Sequence, residues 1–317
     1  MDIKDLIVRY GLVFPRRFYP KEKLRFLRGL AQEFYNAGMK VDIKEASKNQ
    51  RKAYNFYAGD IGGTGLTISA GYDTPPKTFG LIRHKVFNPK GDMAEFLLSI
   101  LIPYALIIVL AALLSQFMLM PVWLDNTFNF LDILAVIPLM ILLFLLVLFR
   151  NGIGNKPNLI RNSAALIACV KLVEGLKPKD RNKVSIAFTD YGCISHYGDV
   201  LLKEILAEDA VRRTVVFLDC VGGEGDVIVL YSKPCAGYIE KVKTAAADKA
   251  VFYEMGERDL RYYRLFEKSI VLTSGRIDNG VVRVGKVNTS KDNDLDEGNL
   301  DAVIIILREL VRNYTDA

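Results

Sequence analysis

Phe96 to Met120 reads FLLSILIPYALIIVLAALLSQFMLM, a stretch without one charged residue in an otherwise soluble-looking sequence. At ~1.5 Å of rise per residue, a helix of this length exceeds the ~30 Å hydrocarbon core of a bilayer. A second apolar stretch, Ile133 to Phe149, reaches the lower end of the spanning range when Leu131 and Asp132 are added. The sequence therefore predicts a transmembrane hairpin of two helices. The alternative is a buried helical pair in a large soluble core, but such helices rarely lack polar residues on all sides.

Basic residues flank the predicted hairpin on both sides and are absent between Gly91 and Phe149. They are Arg83, Lys85 and Lys90 before the hairpin, and Arg150, Lys156 and Arg161 after it. Because basic flanks stay on the cytoplasmic side, we expect both termini and the bulk of the chain to be cytoplasmic. The connecting segment contains Asp125 and the only tryptophan, Trp123, a residue type that favours the membrane interface. We expect this segment to face outward.

The rest of the 317-residue chain is long enough for one sizeable α/β domain in two parts. We expect residues 1–92 to form its first part, 93–150 the hairpin and 151–317 its second part. The predicted strands are Ala53 to Ala58, Leu66 to Ala70, Lys183 to Phe188, Thr214 to Leu218, Asp226 to Tyr231 and Ser269 to Thr273. The predicted helices are Pro20 to Met39, Leu159 to Leu176, Tyr197 to Ala207, Gly237 to Ala250 and Asn299 to Tyr314. This alternation predicts an α/β fold with a mostly parallel central sheet covered by helices.

Charge and cysteine content exclude some classes of protein. The net charge of +6 comes from basic residues spread over the chain, which fits an anionic membrane surface better than nucleic acid. The four cysteines form no CxxC pair, which is typical of reduced thiols in a cytoplasmic protein. The expected partners are therefore the lipid bilayer and a membrane or cytoplasmic protein, with a homo-oligomer as a further option and no nucleic acid.

Polar segments follow the predicted strands, where the binding site of a doubly wound sheet lies. They are SAGYDT (69–74), FTDYGC (188–193) and FLDCVGG (217–223), joined by the helix start IRNSAALIACVKLV (160–173) and the loop KVNTSKDN (286–293). Their order and spacing resemble the zinc-dependent aminopeptidase family of two-metal exopeptidases. The family signature is H-x-D, then D-N-x-S-G before a helix, E-E-x-G, a strand-end D and a late H-T. The resemblance runs from Asn55 to the final helix and implies a Zn-exopeptidase type of hydrolase-like fold.

Most site positions of the resemblance carry other residues in this chain. Asp73, which would orient the first zinc ligand, and Asp219, a ligand, are kept. Gly71 occupies the position of the first zinc-binding histidine, and Arg161 that of the bridging aspartate. Gly192 occupies the position of the general base, and Cys193 that of the zinc ligand next to it. Asn288 occupies the position of the late histidine. The resemblance thus implies a degenerate member without the zinc ligands.

Zinc needs three or four N, O or S ligands, and a zinc pair needs a bridging carboxylate. The chain has only two histidines, His84 near the predicted hairpin and His196, so no shifted set of imidazoles is expected to restore the pair. We therefore expect no metal, no other cofactor and no catalytic residue at these positions. Arg161 is expected to replace the lost metal charge and to pair with Asp73 and Asp219, unless it points to solvent.

Three functions remain open from the sequence, and in the third the hairpin is the functional part and the α/β domain only regulates it. The first is a membrane-anchored, catalytically inactive aminopeptidase-like domain, a pseudopeptidase that acts in protein binding or assembly at the cytoplasmic face. The second is an active hydrolase. It would use Cys193 as a nucleophile with His196 as base and Asp190 as orienting group, or a single metal held by Cys193, His196, Asp219 or Asp190.

Overall fold

A ten-stranded mixed sheet organises the chain, which a computed structural model describes at residues 2–48, 51–78, 84–86, 88–119, 130–206, 213–246, 248–256 and 266–314. The strands are β1 (Val41–Lys48), β2 (Arg51–Ala58), β3 (Leu66–Gly71), β4 (His84–Lys85), β5 (Val184–Thr189), β6 (Thr214–Leu218), β7 (Asp226–Tyr231), β8 (Val251–Glu254), β9 (Lys268–Asp278) and β10 (Val281–Val284). Their order is β1-β2-β5-β3-β6-β9-β10-β4, with β7 paired to β9 and β8.

Among the described residues the sheet is parallel at its centre and between β7 and β8 but antiparallel elsewhere, which corrects the prediction of a mostly parallel sheet. β5, β3, β6 and β9 pair in parallel, and their apolar side chains are buried because helices cover both faces. On the flanks, β1 and β2 form an antiparallel hairpin, and β2 pairs antiparallel with β5. β7 and β10 run antiparallel to β9, and β4 runs antiparallel to β10. The fold is therefore mixed α/β around a parallel core.

Helices cover the sheet on both faces. They are α1 (Ile3–Val8), α2 (Pro20–Asn36), α3 (Pro89–Leu114), α4 (Phe130–Phe149), α5 (Ala164–Gly175), α6 (Pro178–Arg181), α7 (Tyr197–Leu206), α8 (Ala236–Ala246) and α9 (Glu297–Asn313). The larger core lies between the sheet and α1, α2, α5, α8 and α9, and a smaller one lies under α7. α2 shows why a segment takes its place: Phe26, Leu27, Leu30 and Phe34 recur at helical spacing and are all buried.

The helices α3 and α4 project apolar side chains that the rest of the chain leaves exposed. Lys90–Phe117 contains an 18-residue window with a mean hydropathy of 2.8 and is long and apolar enough to cross a membrane. In the second helix, the apolar part Val136–Phe149 is shorter than such a span, so the structure supports one span among the described residues and leaves the second as a prediction. The two helices contact each other, and Tyr104 donates a hydrogen bond to the carbonyl of Leu146 at 2.8 Å. Trp123 and Asp125 lie outside the described residues.

Candidate functional site

The carboxyl ends of β3, β5 and β6 meet at one edge of the sheet because these strands are parallel neighbours. The segments that follow them bring the positions Gly71, Gly192 and Asp219 to the lining of one cavity. This cavity has a volume of about 20 Å³. It has room for about one water molecule or one ion and is far smaller than a ligand pocket of ~300–1,000 Å³.

Gly71 and Gly192 lie backbone against backbone at this edge. A Cβ atom built on Gly192 would stand 3.1 Å from the Cα of Gly71 and 3.4 Å from Oδ1 of Asp73. In the resemblance these two positions carry a zinc-binding histidine and a general base. In this protein the two backbone segments lie close together at the place where those side chains would need space.

Arg161 is buried and forms an ion pair with Asp219, and its second guanidinium nitrogen lies 3.8 Å from Oδ1 of Asp92. It belongs to a buried π-helical turn, Leu159–Ser163, that leads into α5. Asp292 caps this turn, because its Oδ1 accepts the backbone N–H groups of Ile160 and Arg161 at 2.9 and 3.1 Å. Of the two predicted partners of Arg161, Asp219 forms the ion pair, and Asp92 takes the place expected for Asp73. Since Arg161 is buried, it is not one of the basic charges that flank a membrane segment.

Asp73 and Cys193 face each other beside Asn162. Oδ2 of Asp73 accepts the backbone N–H of Cys193 at 3.4 Å, and the Asn162 amide donates to the Cys193 sulfur at 3.1 Å. Burial raises the pKa of Asp73 to about 6, and Lys23 opposes this rise. Burial, helped by the charge of Asp73, raises the pKa of the Cys193 thiol well above its ordinary value. The thiol is therefore protonated at neutral pH and is a poor nucleophile.

The structure places Cys193, His196 and Asp190 in different hydrogen-bonded pairs. His196 contacts Oδ2 of Asp92 at 2.9 Å and Oδ2 of Asp199 at 3.2 Å. Asp190 forms a buried ion pair with Lys23 and accepts the backbone N–H of Tyr54. The predicted nucleophile, base and orienting group are thus close in the chain but each is held by another partner.

Both histidines lie in the cleft, although the sequence analysis placed His84 at the edge of the apolar segment. Burial would lower the pKa of His196, but Asp199 and Asp92 raise it to about 9. Burial and Arg161 act to lower the pKa of His84, but Cys220 and Glu95 raise it to about 9. We name the buried group of His84, Asp92, Glu95, Arg161, His196, Asp199 and Asp219 the cleft cluster.

The first turns of α3 contact the residues of the cleft, which the sequence did not predict. Asp92 contacts His196 and Arg161, and Glu95 accepts a hydrogen bond from the side-chain amide of Asn288. Asp92 and Glu95 are three residues apart and so lie on one face of the helix. The sequence does contain a signal for this contact, because two acidic residues stand at the start of a helix that is otherwise apolar. Such residues need polar or charged partners from another part of the chain.

Backbone strain is concentrated at the same edge of the sheet. Tyr191, His196, Cys220 and Asn288 have φ angles of 56, 53, 55 and 59°. This left-handed region costs residues other than glycine about 1–3 kcal/mol each, and such residues cluster at functional sites. Tyr191 follows β5, Cys220 follows β6, and Asn288 belongs to the loop at 286–293. The strained positions therefore coincide with the candidate site.

Comparisons with known proteins place this geometry in a known fold. No protein-family model matches the chain, and no curated protein matches its sequence. Solved structures do match along nearly the whole chain. A Zn-dependent exopeptidase from Parabacteroides distasonis is 14% identical with a TM-score of 0.59, over 99% of this chain and 98% of its own. The fold is that of zinc-dependent exopeptidases and glutaminyl cyclases.

Two further structures from Bacteroides thetaiotaomicron have the same fold. A leucine aminopeptidase precursor is 16% identical with a TM-score of 0.58, over 99% of this chain and 98% of its own. A glutaminyl cyclase bound to N-acetylhistamine is 16% identical with a TM-score of 0.59, over 99% and 98%. At these identities the likeness establishes the fold alone.

The residues at the expected ligand positions do not fit a pair of zinc ions. Asp219 is the one ligand of the resemblance that this chain keeps, and its Oδ1 accepts from Arg161. Gly71 has no side-chain ligand atom, the Cys193 sulfur accepts from the Asn162 amide, and the Asn288 amide donates to Glu95. A guanidinium has no acceptor atom and repels a divalent cation. No reaction step through a zinc pair follows from this arrangement.

Proposed function

We propose that this chain is a membrane-anchored, catalytically inactive aminopeptidase-like protein that acts in protein binding or assembly at the cytoplasmic face of a membrane. The observation that carries the proposal is the buried ion pair of Arg161 and Asp219. Arg161 stands where the resemblance expects the carboxylate that bridges two metals. Its positive charge replaces the metal charge, so the fold keeps its electrostatic balance without the hydrolytic centre.

The closed cleft supports the same proposal. Peptide substrates need an accessible groove, but the cavity beside Arg161 holds about 20 Å³. Asp92 of α3 is hydrogen-bonded to His196, which lines this cavity, and Glu95 accepts a hydrogen bond from Asn288. Opening the cleft would exchange these hydrogen bonds for bonds to water, which costs about 1.5–3 kcal/mol for each bond to a charged group.

The membrane part of the proposal is a two-helix hairpin, residues 93–150, inserted between the domain parts 1–92 and 151–317. The span in α3 supports it, and α4 packs along α3 with exposed apolar residues such as Phe144. Leu12 and Val13, near the start of the chain, are also exposed. A cavity of about 520 Å³ between the end of α4 and Arg16 brings basic and apolar groups together, as expected where a domain contacts lipid headgroups.

A protein partner is the second part of the proposal. β8 pairs with β7 on one side and presents Val251 and Tyr253 to solvent, and strand edges of this kind can accept another strand. Within the apolar helices, Ala111, Ala112 and Ser115 offer a face of small residues for close helix packing. A second copy of the chain or another membrane subunit would fit either surface.

An activity assay with a matched variant tests the loss of catalysis. The full-length chain in detergent is supplied with Zn²⁺ and assayed with aminoacyl and N-terminal glutaminyl peptides, beside Asp219→Asn. We expect no turnover above that of Asp219→Asn, since neither protein assembles a zinc pair. Zinc-stimulated turnover that Asp219→Asn abolishes would overturn the proposal, whereas turnover equal in both proteins comes from a contaminant.

Native mass spectrometry of the tagged chain, extracted from its own membranes, tests the assembly role. We expect a mass above the 35.6 kDa of one chain, with a second polypeptide in stoichiometric amount. A monomer under all gentle extraction conditions would contradict the assembly role.

A single-metal enzyme is the second candidate, and one observation favours it. His84, Asp219 and Cys220 place one ligand atom each within 4.8 Å of one another. Imidazole, carboxylate and thiolate are all zinc ligands, and a three-ligand site leaves a position for substrate. Peptide turnover that needs one zinc and is lost in Cys220→Ser would favour this candidate. Loss of activity in Cys193→Ala with Cys220→Ser unaffected would instead indicate the thiol route.

A further inference from the structure

His84 is a buried imidazole whose two nitrogens lack hydrogen-bond partners among the described residues. Its side chain is 1% exposed. Nδ1 lies 3.6 Å from Oδ1 of Asp92 and 3.8 Å from Oε1 of Glu95, and Nε2 lies 3.7 Å from Oδ2 of Asp219. All three distances exceed those of hydrogen bonds, including the shorter bonds between charged groups.

His196, the other imidazole of the cleft cluster, can be compared with His84. His196 closes to 2.9 Å from Asp92, so an imidazole in this environment can form a direct hydrogen bond. His84 instead keeps a gap to each neighbouring carboxylate. Two ligands at 2.0–2.2 Å from a tetrahedral ion are separated by roughly 3.3–3.6 Å, which is close to the gaps on the Nδ1 side.

We propose that His84, Asp92 and Glu95 bind one divalent cation of the zinc class through Nδ1, Oδ1 and Oε1. These three atoms lie within 4.8 Å of one another. His84 belongs to β4, and Asp92 and Glu95 belong to the first turns of α3, so the site lies apart from the strand ends that carry the aminopeptidase resemblance. One imidazole with two carboxylates favours zinc over calcium or magnesium, which take oxygen ligands.

The surrounding groups orient the ligands as expected for a metal site. The second oxygen of Asp92 contacts His196, and the second oxygen of Glu95 accepts from Asn288. Nε2 of His84 faces Asp219 across 3.7 Å. The hydrogen bonds from His196 and Asn288 fix the orientation of the two carboxylates, and such partners change metal affinity by ~10–100-fold.

An ion at this position would join two parts of the fold. Arg161 is matched by its ion pair with Asp219, and its second guanidinium nitrogen lies 3.8 Å from Oδ1 of Asp92. An ion bound to His84, Asp92 and Glu95 ties the first turns of α3 to β4. Its role is to clamp the helix to the domain, which is independent of any peptidase activity.

Zinc titration of the full-length, chelator-stripped chain in detergent tests the site by calorimetry and by metal analysis after dialysis. We expect one equivalent of Zn²⁺ and no binding of Ca²⁺ or Mg²⁺ at the same concentration. His84→Gln, Asp92→Asn and Glu95→Gln should each weaken binding at least ~10-fold, because each removes a ligand. Cys220→Ser, the matched control on the other side of His84, should bind as the wild type. Absence of saturable binding, or loss of binding in Cys220→Ser, would overturn the proposal.

The absorption spectrum of the wild type with bound Co²⁺ tests the ligand set without the use of a variant. Nitrogen and oxygen ligands give d–d bands without a thiolate-to-cobalt charge-transfer band, and this is the expected result for the wild type. A charge-transfer band would place the ion beside Cys220 and refute the set His84, Asp92 and Glu95. The readout is binding, so peptide turnover would overturn the proposed function while leaving this site intact.

Discussion

Arg161 and Asp219 form an ion pair in the interior, with side chains that are only 4% and 6% exposed. The backbone of Arg161 is fixed by Asp292, which accepts its N–H, and Asp219 directly follows β6. The pair therefore depends on two elements that the fold already holds in place. Since both charges are buried, each needs the other.

Removing one member of this pair should destabilise the protein strongly. Arg161→Met leaves Asp219 as an uncompensated buried charge, which costs about 3–5 kcal/mol, or roughly 6–20 °C in melting temperature for a domain of this size. The double variant Arg161→Met with Asp219→Leu should recover most of this loss. Thermal unfolding followed by circular dichroism in detergent measures both. Equal melting temperatures for wild type and Arg161→Met would mean that the pair is not formed.

Sequence patterns predicted the strands well where the strands are apolar. Thr214–Leu218 is rich in β-branched residues and buried throughout, so its composition alone identifies it. Val41–Lys48 was missed because it is polar and largely exposed, and it is a strand only because it pairs with β2. The antiparallel flanks follow from such tertiary pairing, which local composition does not encode.

The site was predictable only in part, because local sequence patterns do not show which distant residues come into contact. The motif order identified Arg161 and Asp219, because both lie next to regular elements at the carboxyl edge of the sheet. It missed Glu95, whose partner Asn288 is 193 residues away in the chain. His84 looked like the flank of an apolar segment, and only the folded chain brings it against Asp219.

The cysteine thiols should be unreactive in the folded protein. All four cysteines are buried, and burial raises the pKa of Cys193 and Cys169. Alkylation by iodoacetamide at pH 8 should modify none of them within the time that modifies all four in denaturant. Mass spectrometry of the native and denatured protein checks this. Rapid native modification of Cys193 would instead support a thiolate nucleophile.

Asp73 should make the protein less stable as the pH rises through its titration. Burial raises its pKa to about 6, so the folded state holds the proton more tightly than the unfolded chain does. The stabilisation is complete below pH ~4 and is lost by pH ~6, with a size of up to about 3 kcal/mol. The groups that face Asp73 are Lys23, Asp190, Arg161 and Cys193.

Asp73→Asn isolates this effect, because it mimics the protonated acid. Oδ1 of Asp73 is buried without a hydrogen-bond partner among the described residues, and Oδ2 accepts only the Cys193 backbone N–H there, a bond that an amide oxygen can also accept. We expect Asp73→Asn to be more stable than wild type above pH 6 and equal to it near pH 4. The difference in melting temperature between the two proteins, measured from pH 4 to 8, cancels the titration of all other groups. A less stable Asp73→Asn at pH 7 would show that the ionised carboxylate is favoured there.

The two-span hairpin predicts which parts of the chain an impermeant reagent reaches. Asn126→Cys places a thiol between the apolar stretches, and Lys179→Cys places one on the exposed helix α6. A membrane-impermeant maleimide added to intact cells should label the first and not the second, because only the connection crosses to the outer side. Permeabilisation should then expose Lys179→Cys. The four native cysteines are buried and give little background. If Asn126→Cys is labelled only after permeabilisation, the connection lies on the inner side and the proposed hairpin does not cross the membrane.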